Sequence, residues 1–334
     1  MEEYYDLLDE NRNPTGKKHK RGEPLPQGSY HLIVCSWIVN SKGEFLIAQR
    51  SPNKNHAPNL WETPGGSVLS GEDSLTATIR EAYEEIGINL LPENGVIFAT
   101  YREENCFFDH WLFRQEFNLS DLVLQENETS NVKIATQVEI LELIKQEIMF
   151  REPEPVRFFL KNVQFGNNEL EIEKEIEQYN NLPCSFNDFI TVPTLSDSES
   201  EIFLVCTKKS PGNPDEAIVP EYRFIICKEG EQIGNISLRI GYSPRLYYGG
   251  NIAYDIHEDW RGNGYAVRAC QLLKPIAKAH NMEKLIITNN PANTASRRVC
   301  EKLGAKLIRI APLPEWHDLY KEGARFGNIF EWSY

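Results

Sequence analysis

Alternating and continuous apolar runs, punctuated by turn residues, divide this chain into short strands and a few amphipathic helices. Tyr4–Asp9 alternates like a strand, and ENRNPTG (10–16) has the composition of a turn. The basic stretch Lys17–Arg21 reads as a solvated loop. His31–Asn40 and Glu44–Gln49 are apolar strands joined at Ser41-Lys42-Gly43. Between Asp73 and Ile86 the spacing suits a helix, with Ser70 and Asp73 near its start and Gly87 just past its end. Strands follow near 96–102 and 109–117, then a helix over Thr136–Glu147.

Residues 166–199 change character. ELEIEKEIEQ (169–178) reads as a charged helix and LSDSESE (195–201) as polar linker. Beyond them come strand-like segments at Ile202–Thr207, Tyr222–Lys228, Ile233–Ile240 and Asn251–Ile256. An apolar-periodic helix, the strand Lys284–Thr288 and a second helix over 293–305 complete the pattern. The expected layout is a first domain over 1–165, a charged helix and linker over 166–199, and a second domain over 200–334. A length of 334 residues suits two domains, each large enough for its own core.

Charge and cysteine usage narrow the class. Thirty-five basic against forty-nine acidic residues leave −14, a poor balance for binding a nucleic-acid backbone. No apolar run approaches the ~20 residues of a membrane span. The start, MEEYYDLLDE, lacks the basic-then-apolar order of a signal peptide. Seven cysteines without CxxC spacing suit reduced thiols in a cytoplasmic protein. Small-molecule partners, with neither nucleic acid nor membrane, are therefore expected.

One stretch carries specific chemistry. From Gly66 the chain runs through Glu72, Arg80-Glu81, Ala82, Glu84-Glu85, Ile86, Gly87 and Ile88. On a helix, Glu81, Glu84 and Glu85 stand at i, i+3 and i+4 and share one face. Adjacent like charges cost stability on a bare helix, and a divalent cation offsets that cost. Mg²⁺ or Mn²⁺ prefers such hard oxygen ligands, so these glutamates are the candidate metal ligands. Arg80 is placed to hold Glu84 or Glu72 by a charge-assisted bond.

This spacing resembles the Nudix box, and the first ~150 residues look like a Nudix hydrolase. YDLLDENRNPTG and LWETPGGSVLSGE are similar to the isopentenyl-diphosphate-isomerase branch. Isomerases of that branch carry a catalytic cysteine just before the box, where this chain reads Asn59-Leu60-Trp61-Glu62-Thr63-Pro64-Gly65-Gly66. The resemblance thus implies hydrolysis of a nucleoside-diphosphate-X type substrate, with Glu84 and Glu85 as catalytic residues. It further implies an assisting glutamate from a later loop, Glu126 or Glu128, of which Glu128 is preferred. Arg50 is a candidate phosphate contact. His31 is a catalytic candidate by isomerase analogy, set against a structural role.

The second chemical stretch is Arg261-Gly262-Asn263-Gly264-Tyr265-Ala266, between a strand and a helix. Glycines there let backbone N–H groups approach an anion. The loop resembles the coenzyme A pyrophosphate loop of GNAT acetyltransferases, and Asn293, Ser296, Glu301 and Gly304 fall on a further pattern of that family. The resemblance implies acetyl-CoA held by Ile256, His257, Arg261, Gly262, Asn263, Gly264, Tyr265, Ala266, Asn293 and Ser296. Asp255, His257 or Glu258 could accept the amine proton. Many GNAT enzymes place a general-acid tyrosine where this chain has Cys300, and Tyr320 is the candidate substitute. Lys208–Glu221, short and holding three prolines, leaves little room for the helices that usually line the acceptor site.

These resemblances imply an α/β (α+β) protein of two domains. The first would be a Nudix α/β/α sandwich with a mixed sheet, the second a GNAT twisted mixed sheet flanked by helices. A second reading stays open, in which one half only binds its ligand and regulates the other.

Overall fold

The computed structural model describes residues 2–165, 169–197, 201–213 and 217–334, so residues 198–200 of the expected linker lie outside the described residues. The chain forms two compact units, Met1–Gly166 and Asn167–Tyr334. In the first, β1 (Tyr4–Leu8) and β2 (Pro14–Lys20) make a separate antiparallel hairpin. β2 includes Lys17–Lys20, expected as loop: its side chains carry no apolar signal, and the backbone ladder to β1 makes it a strand.

The main sheet is built from β3 (His31–Val39), β4 (Phe45–Arg50), β5 (Trp61–Glu62), β6 (Gly65–Ser67), β7 (Gly95–Glu103), β8 (Cys106–Arg114) and β9 (Thr129–Ala135). Its order is β5-β4-β3-β8-β7, with β6 on β3 and β9 on β4. β3 and β8 run parallel while the other pairs are antiparallel, a mixed sheet. Central β3 is covered on both faces, so Val34, Trp37, Ile38 and Val39 are all fully buried.

Three helices accompany that sheet: α1 (Ser74–Ile86), α2 (Gln137–Lys145) and α3 (Glu154–Asn162). At the start of α1 the Asp73 carboxylate accepts the Thr76 N–H at 2.7 Å. Gly87 ends it at φ 73°, left-handed backbone that favours glycine. Ala82 and Ile86 pack on Ile38, Leu46 and Phe113. A capping box of Thr136 and Glu139 opens α2. α3, absent from the sequence expectations, buries Val156, Phe159 and Leu160.

The hairpin is tied down by charge. Arg12 donates to both Asp109 oxygens at 2.8 and 2.5 Å, and Ser74 Oγ donates to the same carboxylate at 2.6 Å. Asp109 is fully buried.

In the second unit, α4 (Glu169–Asn180) and β10 (Leu195–Ser196) precede the strands β11 (Phe203–Ser210), β12 (Glu221–Lys228) and β13 (Glu231–Arg239). Next come α5 (Pro244–Gly249), β14 (Ile252–Ile256), α6 (Tyr265–Leu272), α7 (Lys274–Ala279), β15 (Lys284–Asn289) and α8 (Thr294–Leu303). β16 (Lys306–Pro312), α9 (Asp318–Lys321) and β17 (Phe326–Ser333) close the chain. Strands β10 to β14 form one antiparallel sheet in sequence order, and β15-β17-β16 form another. α4 belongs to this core: Ile172 and Tyr179 pack with Tyr247 and Ile329, and Glu175 pairs with Arg309 at 2.6 Å.

Asn251 joins the two sheets. Its backbone N–H donates to Ile286 O at 2.7 Å and its Oδ1 accepts the Ile286 N–H at 2.8 Å. β14 and β15 are not paired beyond that point, which leaves a cleft between them. Among the described residues no helix is long and apolar enough to cross a membrane.

Removing one partner of a buried ion pair costs about 3–5 kcal/mol. The Arg12 side chain is 36% exposed and Ser74 still donates to Asp109, so Arg12→Ala should destabilise the first unit by less than that, about 1–3 kcal/mol, read by urea titration of the intact chain. Arg12→Ala combined with Asp109→Asn should be less destabilised than the sum of the single variants. Strict additivity would show that the pair does not anchor the hairpin.

Candidate active sites

Helix α1 presents its acidic face to β6. A Cβ on Gly65 would stand 2.2 Å from the backbone Val34 O, so that position admits no side chain, while one on Gly66 would stand 2.5 Å from Glu81 Oε1 and would push that carboxylate aside. The Gly65 N–H donates to Glu85 Oε2 at 3.2 Å. Glu85 is 8% exposed. Burial, then the neighbouring Glu62 and Glu81 carboxylates, push its pKa up to about 8. Glu81 is raised as well, burial outweighing its bond from Arg80.

Arg80 organises this acidic group. Its Nε donates to Glu72 at 2.7 Å, and its Nη1 reaches Glu81 at 2.9 Å and Glu84 at 3.0 Å. The structure thus draws Glu81 and Glu85 together beside the glycines and leaves Glu84 half exposed. Among the described residues, no group of three His, Cys, Asp or Glu side chains converges on one point in this conformation. The all-oxygen donor set and the crowding that raises two of its pKa values suit a hard divalent cation.

Cations surround the group, two of them missed in the sequence. Arg21 is bonded to Glu3 at 2.5 Å and lies within electrostatic reach of Glu81. Lys54 pairs with Glu128 and feels both Glu85 and Glu62. Neither carries a motif signal; only the fold brings them in. Arg50 is committed to Glu62, at 2.9 and 2.8 Å to its two oxygens. Glu126 is exposed in its loop. His31 stacks on Tyr5 at 4.5 Å and its Nε2 faces Cys106 Sγ at 3.2 Å. Burial lowers its pKa.

Behind these groups lies a second set of titratable side chains. Burial, then Glu152, Glu62 and Glu85, push the Cys35 thiol well up. His110 accepts from Trp37 Nε1 at 3.1 Å, and burial holds its pKa down to about 3. Glu152, 5% exposed, is pushed up to about 8 by burial and then by Glu62.

In the second unit, the strand–loop–helix from β14 to α6 forms the other candidate site. Arg261 Nε donates to Ile256 O at 3.0 Å, and Gly262 and Gly264 take φ 83° and 79°, which favour glycine. No side chain caps α6, and Gly264, Tyr265 and Ala266 at its start line a cavity of ≈ 580 Å³. Ile256, Arg261, Gly262, Gly264, Tyr265, Ala266, Asn293 and Ser296 all line that cavity. His257 and Asn263 do not: His257 is an exposed residue preceding a short 3₁₀ turn, and Asn263 Nδ2 bonds the Trp260 and Arg261 carbonyls. Asp255 sits at the cavity wall beside Asn235, and Glu258 is exposed next to Arg261 at 3.8 Å.

A second cavity, ≈ 770 Å³, meets the first at Tyr254, Asn293 and Ser296. Tyr254 OH bonds Ser296 Oγ at 2.9 Å, and burial raises its phenol, which keeps it protonated. Sequence reading sought a proton donor on α8 or in the tail and did not find this strand tyrosine. Tyr320 lines neither cavity; it lies under Arg325, whose guanidinium carbon is 4.1 Å from the ring centroid. Cys300 is fully buried, accepting from Asn289 Nδ2 at 3.6 Å, and burial pushes its thiol up to about 12.

The family model described as NUDIX domain matches residues 29–152. An uncharacterized Nudix hydrolase of Listeria monocytogenes is 41% identical over 42% of this chain and 83% of its own length. The chain belongs to the Nudix hydrolase family. Its second half carries an acetyltransferase (GNAT) domain, whose model matches residues 176–306. The Nudix half is also similar to an isopentenyl-diphosphate delta-isomerase of Pectobacterium atrosepticum, 35% identical over 36% of this chain and 68% of that protein. A solved MutT protein from Methanosarcina mazei is 27% identical, covering 40% of this chain and 91% of its own at a TM-score of 0.31.

Glu152 should give the Nudix half a pH-dependent stability. Its folded pKa, about 8, exceeds the ordinary 4.5, so folding retains a proton that unfolding releases. That contribution is whole below pH 4.5 and is lost as pH rises toward about 8. Glu152→Gln should therefore melt close to the parent at pH 5 and increasingly above it by pH 8. A calorimetric difference that does not change with pH would contradict this.

Proposed function

We propose that the Nudix half hydrolyses a small diphosphate compound, of nucleoside-diphosphate-X type, with bound Mg²⁺ or Mn²⁺. We propose further that the GNAT half transfers an acetyl group from acetyl-CoA to an amine. The seven free cysteines support a cytoplasmic setting for both. The hydrolase reading is carried by the crowding of Glu81 and Glu85 against Gly65-Gly66. A divalent cation held there by Glu81, Glu84 and Glu85 would polarise a diphosphate and acidify a bound water. Arg80 keeps the carboxylates in place, while Lys54 and Arg21 offer positive charge to phosphate oxygens. Glu128 is the candidate acceptor of the water proton.

For the transferase the carrying observation is the uncapped N-terminus of α6 behind the Gly262–Gly264 loop, facing its cavity. Backbone N–H groups there would bind a pyrophosphate. The amine lone pair attacks the thioester carbonyl, a C–N bond forms and the C–S bond breaks. The amine proton leaves to water and Tyr254 protonates the departing thiolate. Cys300 plays no part in this scheme.

The decisive assay for the Nudix half is Mg²⁺-dependent cleavage of a panel of nucleotide sugars, dinucleotides and nucleoside triphosphates. Glu81→Gln, Glu84→Gln and Glu85→Gln should each slow turnover at least ~100-fold, a loss of about 3 kcal/mol of transition-state stabilisation. Unchanged turnover in all of them would refute the assignment, and tight binding without cleavage would make this half a sensor. For the GNAT half, Gly264→Glu should abolish acetyl-CoA binding in calorimetry, whereas Tyr254→Phe should bind normally and turn over slowly. Normal binding by Gly264→Glu would exclude the loop as the pyrophosphate site.

A further inference from the structure

The larger cavity of the GNAT half has a wall of unusual charge. Arg223 and Arg239, from neighbouring strands β12 and β13, both line it, and so does Arg245 at the start of α5. Two acids share the lining among the described residues, and each already has a cationic partner. Glu221 lies between Arg223 at 2.5 Å and Arg239 at 3.4 Å. Asp318 points to solvent and pairs with Lys321 at 3.5 Å. Three guanidinium groups at one cavity are not background in a chain of net charge −14.

The three arginines are held in different ways. Arg239 Nη1 donates to the Gly249 and Gly250 carbonyls, at 3.0 Å each, so it also caps the end of α5. Arg245 lies over the Trp316 ring, 5.7 Å from its centroid. Arg223 engages Glu221 through Nε, and its side chain is 56% exposed. A flat aromatic face and a planar guanidinium fork together suit a small molecule bearing an oxyanion.

We infer that the acetyl acceptor is an amine that also carries a carboxylate or phosphate, with that anion seated against Arg223, Arg239 and Arg245. This rests on the acetyltransferase reading of the same unit. The amine end would lie where the two cavities meet, at Tyr254 and Ser296. The positive wall does a second job: it disfavours the ammonium form, raising the fraction of neutral amine able to attack. For the same reason it repels polyamines.

The test offers the intact chain matched pairs of amines and follows released thiol: phosphoethanolamine with ethanolamine, glucosamine 6-phosphate with glucosamine, glycine with glycinamide. Spermidine serves as the polycation. At least one anionic member should exceed its neutral partner by tenfold or more in kcat/KM, and the pair that responds separates phosphate from carboxylate. Arg223→Ala and Arg245→Ala should each raise KM for that acceptor by roughly 10- to 100-fold and leave acetyl-CoA affinity unchanged. Arg223→Lys should recover part of the loss, which distinguishes charge recognition from a packing defect. Preference for a neutral amine or spermidine would overturn the inference. So would an unaltered preference in Arg223→Ala, or no acetylation of any amine by protein that binds acetyl-CoA. Protein that fails to bind acetyl-CoA would remove the transferase reading and this inference with it.

Discussion

The close approach of β6 to both β3 and α1 is the constraint on which the Nudix half turns. Gly65 leaves no room for a side chain against the Val34 carbonyl, and a side chain at Gly66 would displace the Glu81 carboxylate. Two glycines therefore allow the helix to lay its carboxylates directly on the sheet. Desolvation and mutual repulsion follow from that contact, and they raise Glu81 and Glu85 together. Arg80 offsets part of the cost by engaging Glu72, Glu81 and Glu84 at once. The site is thus crowded by its own packing, a condition that the proposed divalent cation would relieve.

In the GNAT half the corresponding constraint is one asparagine. Asn251 bonds Ile286 with both backbone and side chain, while its Nδ2 donates to the Arg239 and Gly241 carbonyls at 3.2 and 2.8 Å. Asn251 thus stitches the two sheets, and among the described residues β14 and β15 are not paired past it. Both cavities open where that pairing is absent, and Tyr254 sits three residues along β14 at their junction. A continuous ladder between β14 and β15 would close the space from which both cavities open.

How much of this was legible in the sequence depended on whether the signal was local. The α1 caps, the Thr136 start of α2 and the α6 loop are short-range chemistry, and each reads directly from neighbouring residues. β2 was not legible, because PTGKKHK has no apolar face and exists as a strand through pairing with β1. α3 was hidden behind Pro153 and Pro155, which stand at its start, where a missing N–H costs nothing. At the candidate sites, the spacing already placed the glutamates on one helix face and the glycines in the loop before α6. Lys54, Arg21, Tyr254 and the arginine wall were not, since each reaches its site through tertiary contacts alone.

Cys300 shows how a departure from a family pattern can be read physically. Its thiol is buried and tied to Asn289, which in turn accepts from Asn328 at 2.7 Å, so this position on α8 belongs to the core. A tyrosine there would have to displace that polar chain. The phenol that does face the cavities comes from the adjacent strand, bonded to Ser296 at the start of the same helix. In the proposed transfer, proton donation would depend on where a hydroxyl can meet the thioester sulfur and not on which element carries it. Burial raises the phenol's pKa, so it remains a donor across the neutral range.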